Sequence, residues 1–124
     1  MAEEEALKAP ANIAPYIEAL GVDDAMRFFL SLGGSDIYLP RHSSPRSLAA
    51  RTIGADKVEK LARSLGYGYV KVPLARQWVA AVMKANGDSL AEIARTVRAD
   101  VATVRRWLGR SDDPREQMDL FTSS

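Results

Sequence analysis

The chain contains no cysteine in 124 residues, which excludes disulfide staples and thiolate metal sites. Histidine is almost as scarce: His42 stands alone in the polar stretch RHSSPRS and is expected to be a solvated loop residue. There is no apolar run of membrane length, no signal-peptide pattern, no phosphate-binding glycine loop and no nucleophile with a base partner. The adjacent carboxylates Asp23 and Asp24 come just after Gly21-Val22, where negative charge is favoured at the start of a helix, and so do not read as an acid pair. These absences lead us to expect a cytoplasmic protein that is not an enzyme, with no catalytic residues, metal or cofactor. The length suits one compact domain or two very small ones.

The near-neutral net charge of +1 conceals a segregation. Arg76, Lys84, Arg95, Arg98, Arg105, Arg106 and Arg110 face only Asp88, Glu92 and Asp100 in the same stretch, whereas the last fourteen residues set Arg115 against Asp112, Asp113, Glu116 and Asp119. Within the basic stretch, Ser89 and Glu92 form an S-x-x-E capping box, and Leu90, Ile93, Ala94 and Val97 follow at helical spacing. Asp100 caps a second predicted helix, with Val101, Val104 and Leu108 on one stripe, widened by Trp107. A third helix is expected over Leu74 to Ala85, with Trp78, Ala81, Val82 and Ala85 inward and Asn86-Gly87 as its stop. Ala94 would allow close approach at the helix crossing. Two short helices with an outer arginine face read as a helix-turn-helix, with Arg76, Arg95, Arg98, Ala102, Thr103, Arg105, Arg106 and Arg110 as candidate DNA contacts. The plainer alternative is a three-helix bundle whose arginines only keep it soluble. Arg98 stands where such turns often place a left-handed glycine, so a three-residue turn of another geometry is expected there.

Upstream, residues 20–40 align without a gap on residues 53–73. Gly21 matches Gly54, Asp23 Asp56, Ser31 Ser64, Leu32 Leu65, Gly33 Gly66 and Pro40 Pro73. Each unit reads as a helix, a glycine stop and a short strand closed by proline, with Ile37 and Leu39 flanking Tyr38, and Val70 and Val72 flanking Lys71. One short strand leaves its backbone groups unsatisfied. Either the two strands pair with each other about a pseudo-two-fold axis under two helices, or each pairs with a second chain. Pro15 can open a short helix through Leu20, residues 41–47 form a loop, and Pro45 or Ser47 starts another short helix to Ile53. The expected fold class is mainly α with a small β component: a flexible start (1–12), a duplicated helix-strand region (13–73), a helix-turn-helix domain (74–110) and a disordered acidic tail (111–124).

The phrase Gly33-Gly34 followed by Ile37-Tyr38-Leu39-Pro40, upstream of a helix-turn-helix, resembles the Mor family, named for the middle operon regulator of phage Mu. The resemblance spans roughly residues 20–108. It implies a transcription regulator of phage or bacterial origin that binds double-stranded DNA, with Ile37 to Pro40 as a dimerisation strand, Val101 to Leu108 as the recognition helix, and RNA polymerase as a further partner. The chain departs from the family pattern in its second helix-strand unit, ending Val70-Lys71-Val72-Pro73, with Gly66-Tyr67 in place of two glycines. If the two units pair internally, the family's homodimer interface becomes part of one chain.

The acidic tail holds Gln117-Met118-Asp119-Leu120-Phe121, which resembles the pentapeptide by which bacterial polymerases and repair proteins dock on the sliding clamp. Gln117 would supply directed hydrogen bonds, and Met118, Leu120 and Phe121 would enter an apolar pocket. The alternative expectation is therefore a replication-associated interaction protein. In a plainer reading, Leu120 and Phe121 fold back onto the domain.

Overall fold

A computed structural model describes residues 9–109. Its seven helices and two strands run α1 (Ala14–Leu20), α2 (Val22–Leu32), β1 (Asp36–Leu39), α3 (Leu48–Ile53), α4 (Ala55–Leu65), β2 (Gly68–Lys71), α5 (Arg76–Ala85), α6 (Leu90–Val97) and α7 (Val101–Leu108). The fold is mainly helical with one two-stranded antiparallel sheet. It divides into two compact units, the first ending at Arg76 and the second beginning at Gln77. No described helix is long and apolar enough to cross a membrane.

The first unit is built from the two sequence repeats. Pro15 lies in the opening turn of α1, Asp23 and Asp24 lie in the first turn of α2, and Ser47 caps α3 by accepting the Ala50 amide at 3.0 Å. The short helix of each repeat packs against the long helix of the other: α1 on α4, and α3 on α2. β1 pairs with β2 inside the chain, Asp36 opposite Lys71, Ile37 opposite Val70, Tyr38 opposite Tyr69 and Leu39 opposite Gly68. Of the two arrangements open to the strands, the internal pairing is the one adopted.

Two contacts locate the pseudo-two-fold axis. Ile37 and Val70 occupy the same position in the two repeats and face each other across the sheet. Asp24 and Lys57 are likewise repeat equivalents, and the Lys57 ammonium donates to the Asp24 carboxylate and, at 3.1 Å, to the Leu20 carbonyl at the end of α1. Equivalent residues that touch each other lie on the axis relating the repeats.

Side-chain volume is traded across that axis. In the first repeat the buried residues are bulky, with Tyr16 and Ile17 on α1 and Phe28 and Phe29 on α2. Their counterparts are Ala49 and Ala50 on α3 and Leu61 and Ala62 on α4. α2 packs on α3 and α1 on α4, so each helix carrying bulky buried residues faces one of the other repeat with smaller ones. The Tyr16 ring lies 5.1 Å from that of Phe29 and 5.9 Å from that of Phe28, centroid to centroid, and burial pushes its hydroxyl pKa up. Leu39 and Val72 close the core from the strands.

Candidate nucleic-acid interface

The second unit holds α6, α7 and nearly all of α5. Helix α5 is stopped by Asn86-Gly87: Gly87 is left-handed at φ 92°, and the Asp88 amide reaches back to the Met83 carbonyl at 3.0 Å. Its start and face differ from expectation. The helix begins at Arg76, leaving Leu74 outside it and 56% exposed, and it buries Trp78, Val79, Ala80, Val82 and Met83 while Ala81 and Ala85 lie on the surface. The run WVAAVMKA is apolar on nearly every side, so several faces satisfy helical spacing, and only packing selects one.

Helix α6 is capped by Ser89, whose hydroxyl accepts the Glu92 amide at 3.1 Å and donates to the Glu92 carboxylate at 3.1 Å. Ile93, Ala94 and Val97 are buried along its inner face, and Leu90 is half-buried. The turn that follows is only Arg98, Ala99 and Asp100. Contrary to expectation, it uses the left-handed geometry without a glycine: Arg98 itself takes φ 57° and ψ 50°. The Ala94 carbonyl accepts the Arg98 amide and also, at 3.0 Å, the Ala99 amide, so the turn closes on the last turn of α6.

Asp100 caps α7 by accepting the Thr103 amide at 2.6 Å. That hydrogen bond, the Thr103 side chain and the nearby Arg106 charge hold the Asp100 carboxyl below the usual carboxylate range. α7 packs on α6 through buried Val104, with Trp107 and Leu108 half-buried. Val101, placed on the inner stripe by its spacing, is exposed: the first turn of a helix entered through a tight turn stands clear of its neighbour.

Ala102, Arg105 and Arg106 form an exposed face on α7, with Thr103 half-buried beside them. No ion pair holds Arg105 or Arg106 among the described residues. Arg95 on α6, Arg98 in the turn and Arg76 at the start of α5 are also exposed. Arg110 and the candidate clamp residues Gln117, Met118, Leu120 and Phe121 lie outside the described residues. No cluster of histidine and carboxylate side chains suited to a metal occurs among the described residues.

Of the strand residues singled out from sequence, Leu39 and Val72 are buried, Ile37 and Val70 half-buried, and Tyr38 and Lys71 exposed. Spacing did not single out Tyr69, which stands opposite Tyr38 with its ring edge-on at 5.1 Å and is 83% exposed. The signal was the second tyrosine of the phrase GYGYVK, which becomes meaningful once the strand register is known. No protein-family model, curated protein or solved structure matches this chain.

Proposed function

We propose that the protein is a sequence-specific DNA-binding regulator that reads duplex DNA with α7. The observation that carries this reading is the exposed face of α7, where Arg105 and Arg106 project from a helix capped at Asp100 and joined to α6 by a three-residue turn. Arginine forks match guanine edges and phosphates, and a short rigid turn fixes the angle at which such a helix enters the major groove. Arg76, Arg95, Arg98 and Arg110 then serve the phosphate backbone, and Ala102 and Thr103 lie at the base edges. The resemblance to the Mor family supports the same reading, with RNA polymerase as the expected partner of a bound regulator. A chain in which both helix-strand units pair internally carries one helix-turn-helix and engages one half-site.

The test is selection of bound duplexes from a randomised pool, followed by footprinting. Arg105→Ala is expected to weaken binding to the selected site by about 1 to 3 kcal/mol and to relax preference at one base position. Arg95→Ala should weaken all duplexes alike and flatten the salt dependence. Absence of any protected site at moderate salt refutes the reading.

A second reading rests on the pentapeptide Gln117 to Phe121, whose glutamine and apolar residues support docking on a bacterial sliding clamp. Clamp retention that is unchanged in Phe121→Ala would remove it. The two readings are compatible, because a linear motif can be attached to a DNA-binding domain without altering its fold.

A further inference from the structure

The outer face of the β1–β2 ribbon is aromatic and solvent-exposed. Tyr38 and Tyr69 face each other across the strands, 58% and 83% exposed, with their rings edge to face at 73°. At the end of the ribbon where Leu39 opposes Gly68, Tyr67 is also exposed, and the Arg41 guanidinium lies over its ring at 4.4 Å. Lys71, exposed two residues beyond Tyr69 on β2, adds a further cation. Against these stand Asp36, opposite Lys71, and Glu59, whose carboxylate is engaged by the Ser43 amide at 2.9 Å.

We infer that this face is a stacking platform for single-stranded DNA. Exposed rings flanked by cations are the two components such sites need: π-faces that accept any base, and charge that follows the phosphates. Tyr67 directly precedes β2, and two residues of chain place its Cα at most about 7 Å from that of Tyr69. That is roughly twice the 3.4 Å rise of stacked nucleotides and suits a strand whose neighbouring bases are splayed apart. A duplex keeps its base faces occupied by stacking and offers them to these rings only at the cost of unstacking. A protein partner is disfavoured by area, since a four-residue ribbon with three tyrosines is far smaller than the roughly 800 Å² per partner of a stable interface. Deoxythymidine runs are preferred over uridine runs because the thymine C5-methyl adds apolar contact with a tyrosine ring that uracil lacks.

The inference is independent of the role given to α7, and the experiment keeps the two apart. Fluorescence anisotropy would be measured at low salt with labelled 15-nucleotide oligo-dT, the same length of oligo-rU, and a 15-base-pair duplex. Oligo-dT should bind the full chain more tightly than oligo-rU. Tyr69→Leu, which keeps an apolar side chain on the ribbon, should weaken oligo-dT binding roughly 5- to 100-fold, while Tyr69→Phe retains it. The Arg105→Ala/Arg106→Ala variant should lose the duplex and keep oligo-dT. The inference is overturned by no binding of oligo-dT, by equal binding in Tyr69→Leu, by a preference for oligo-rU, or by loss of oligo-dT binding in the α7 double variant.

Discussion

Gly33 and its repeat counterpart Gly66 end equivalent helices for different reasons. A Cβ at Gly33 would lie 2.5 Å from the Phe29 carbonyl oxygen and 3.1 Å from that of Pro73, so the position needs space between backbones. Gly66 has nothing within 4 Å but adopts φ 100°, so there the need is conformational. Gly33→Ala should therefore destabilise through displaced backbone and Gly66→Ala through strain alone, each by about 1 to 3 kcal/mol, read as a fall in the denaturant midpoint. Arg98 is the reverse case, a bulky residue where glycine would rest. Arg98→Gly should raise the thermal midpoint, by up to about 1 kcal/mol in stability, while removing one candidate phosphate contact. At Asp100 the folded carboxyl titrates below its unfolded value. Its contribution is therefore complete above the ordinary carboxylate range and lost as pH falls through the lower folded value. Asp100→Asn should remove that component of the acid dependence, read as protection of the Thr103 amide from hydrogen exchange across an acid titration.

Among the elements, the paired helices show how a duplicated sequence can diverge and still pack. α2 brings Phe28 and Phe29 to a partner helix, α3, that offers Ala49 and Ala50. Phe28→Ala should cost about 3 to 5 kcal/mol through an unfilled cavity. Ala50→Leu, which restores the bulk of the other repeat, should cost about 1 to 3 kcal/mol by overpacking. Chemical unfolding monitored by far-ultraviolet circular dichroism would measure both. The caps of α3, α6 and α7 and the glycine stops of α2, α4 and α5 were readable because they involve residues a few positions apart. The inward face of α5 and the exposure of Val101 were not, since local spacing leaves several faces open and only contact with other elements chooses between them.

For the first unit as a whole, the axis between repeats is occupied by an Asp24–Lys57 pair. In a symmetric dimer of single repeats the same position would meet its own copy, two carboxylates or two ammonium groups. Opposite charges there are possible only when both repeats belong to one chain. Lys57→Asp should destabilise the fold by about 1 kcal/mol or somewhat more, and the double exchange Asp24→Lys/Lys57→Asp should recover part of that loss. A double-mutant cycle in denaturant would quantify the coupling. Light scattering across a concentration series should give one chain per particle, since the strands already have their partners.

The linear order of residues alone established the repeat, the positions of most helices, the segregation of charge and the arginines on the last helix, because each of these follows from neighbours in the chain and from composition. Which chain each strand pairs with, which volumes meet across the axis, that Arg98 bears the left-handed turn and that Tyr38 meets Tyr69 on an open face were decided by tertiary structure. They depend on contacts between residues far apart in the sequence, where packing and register outweigh local preference.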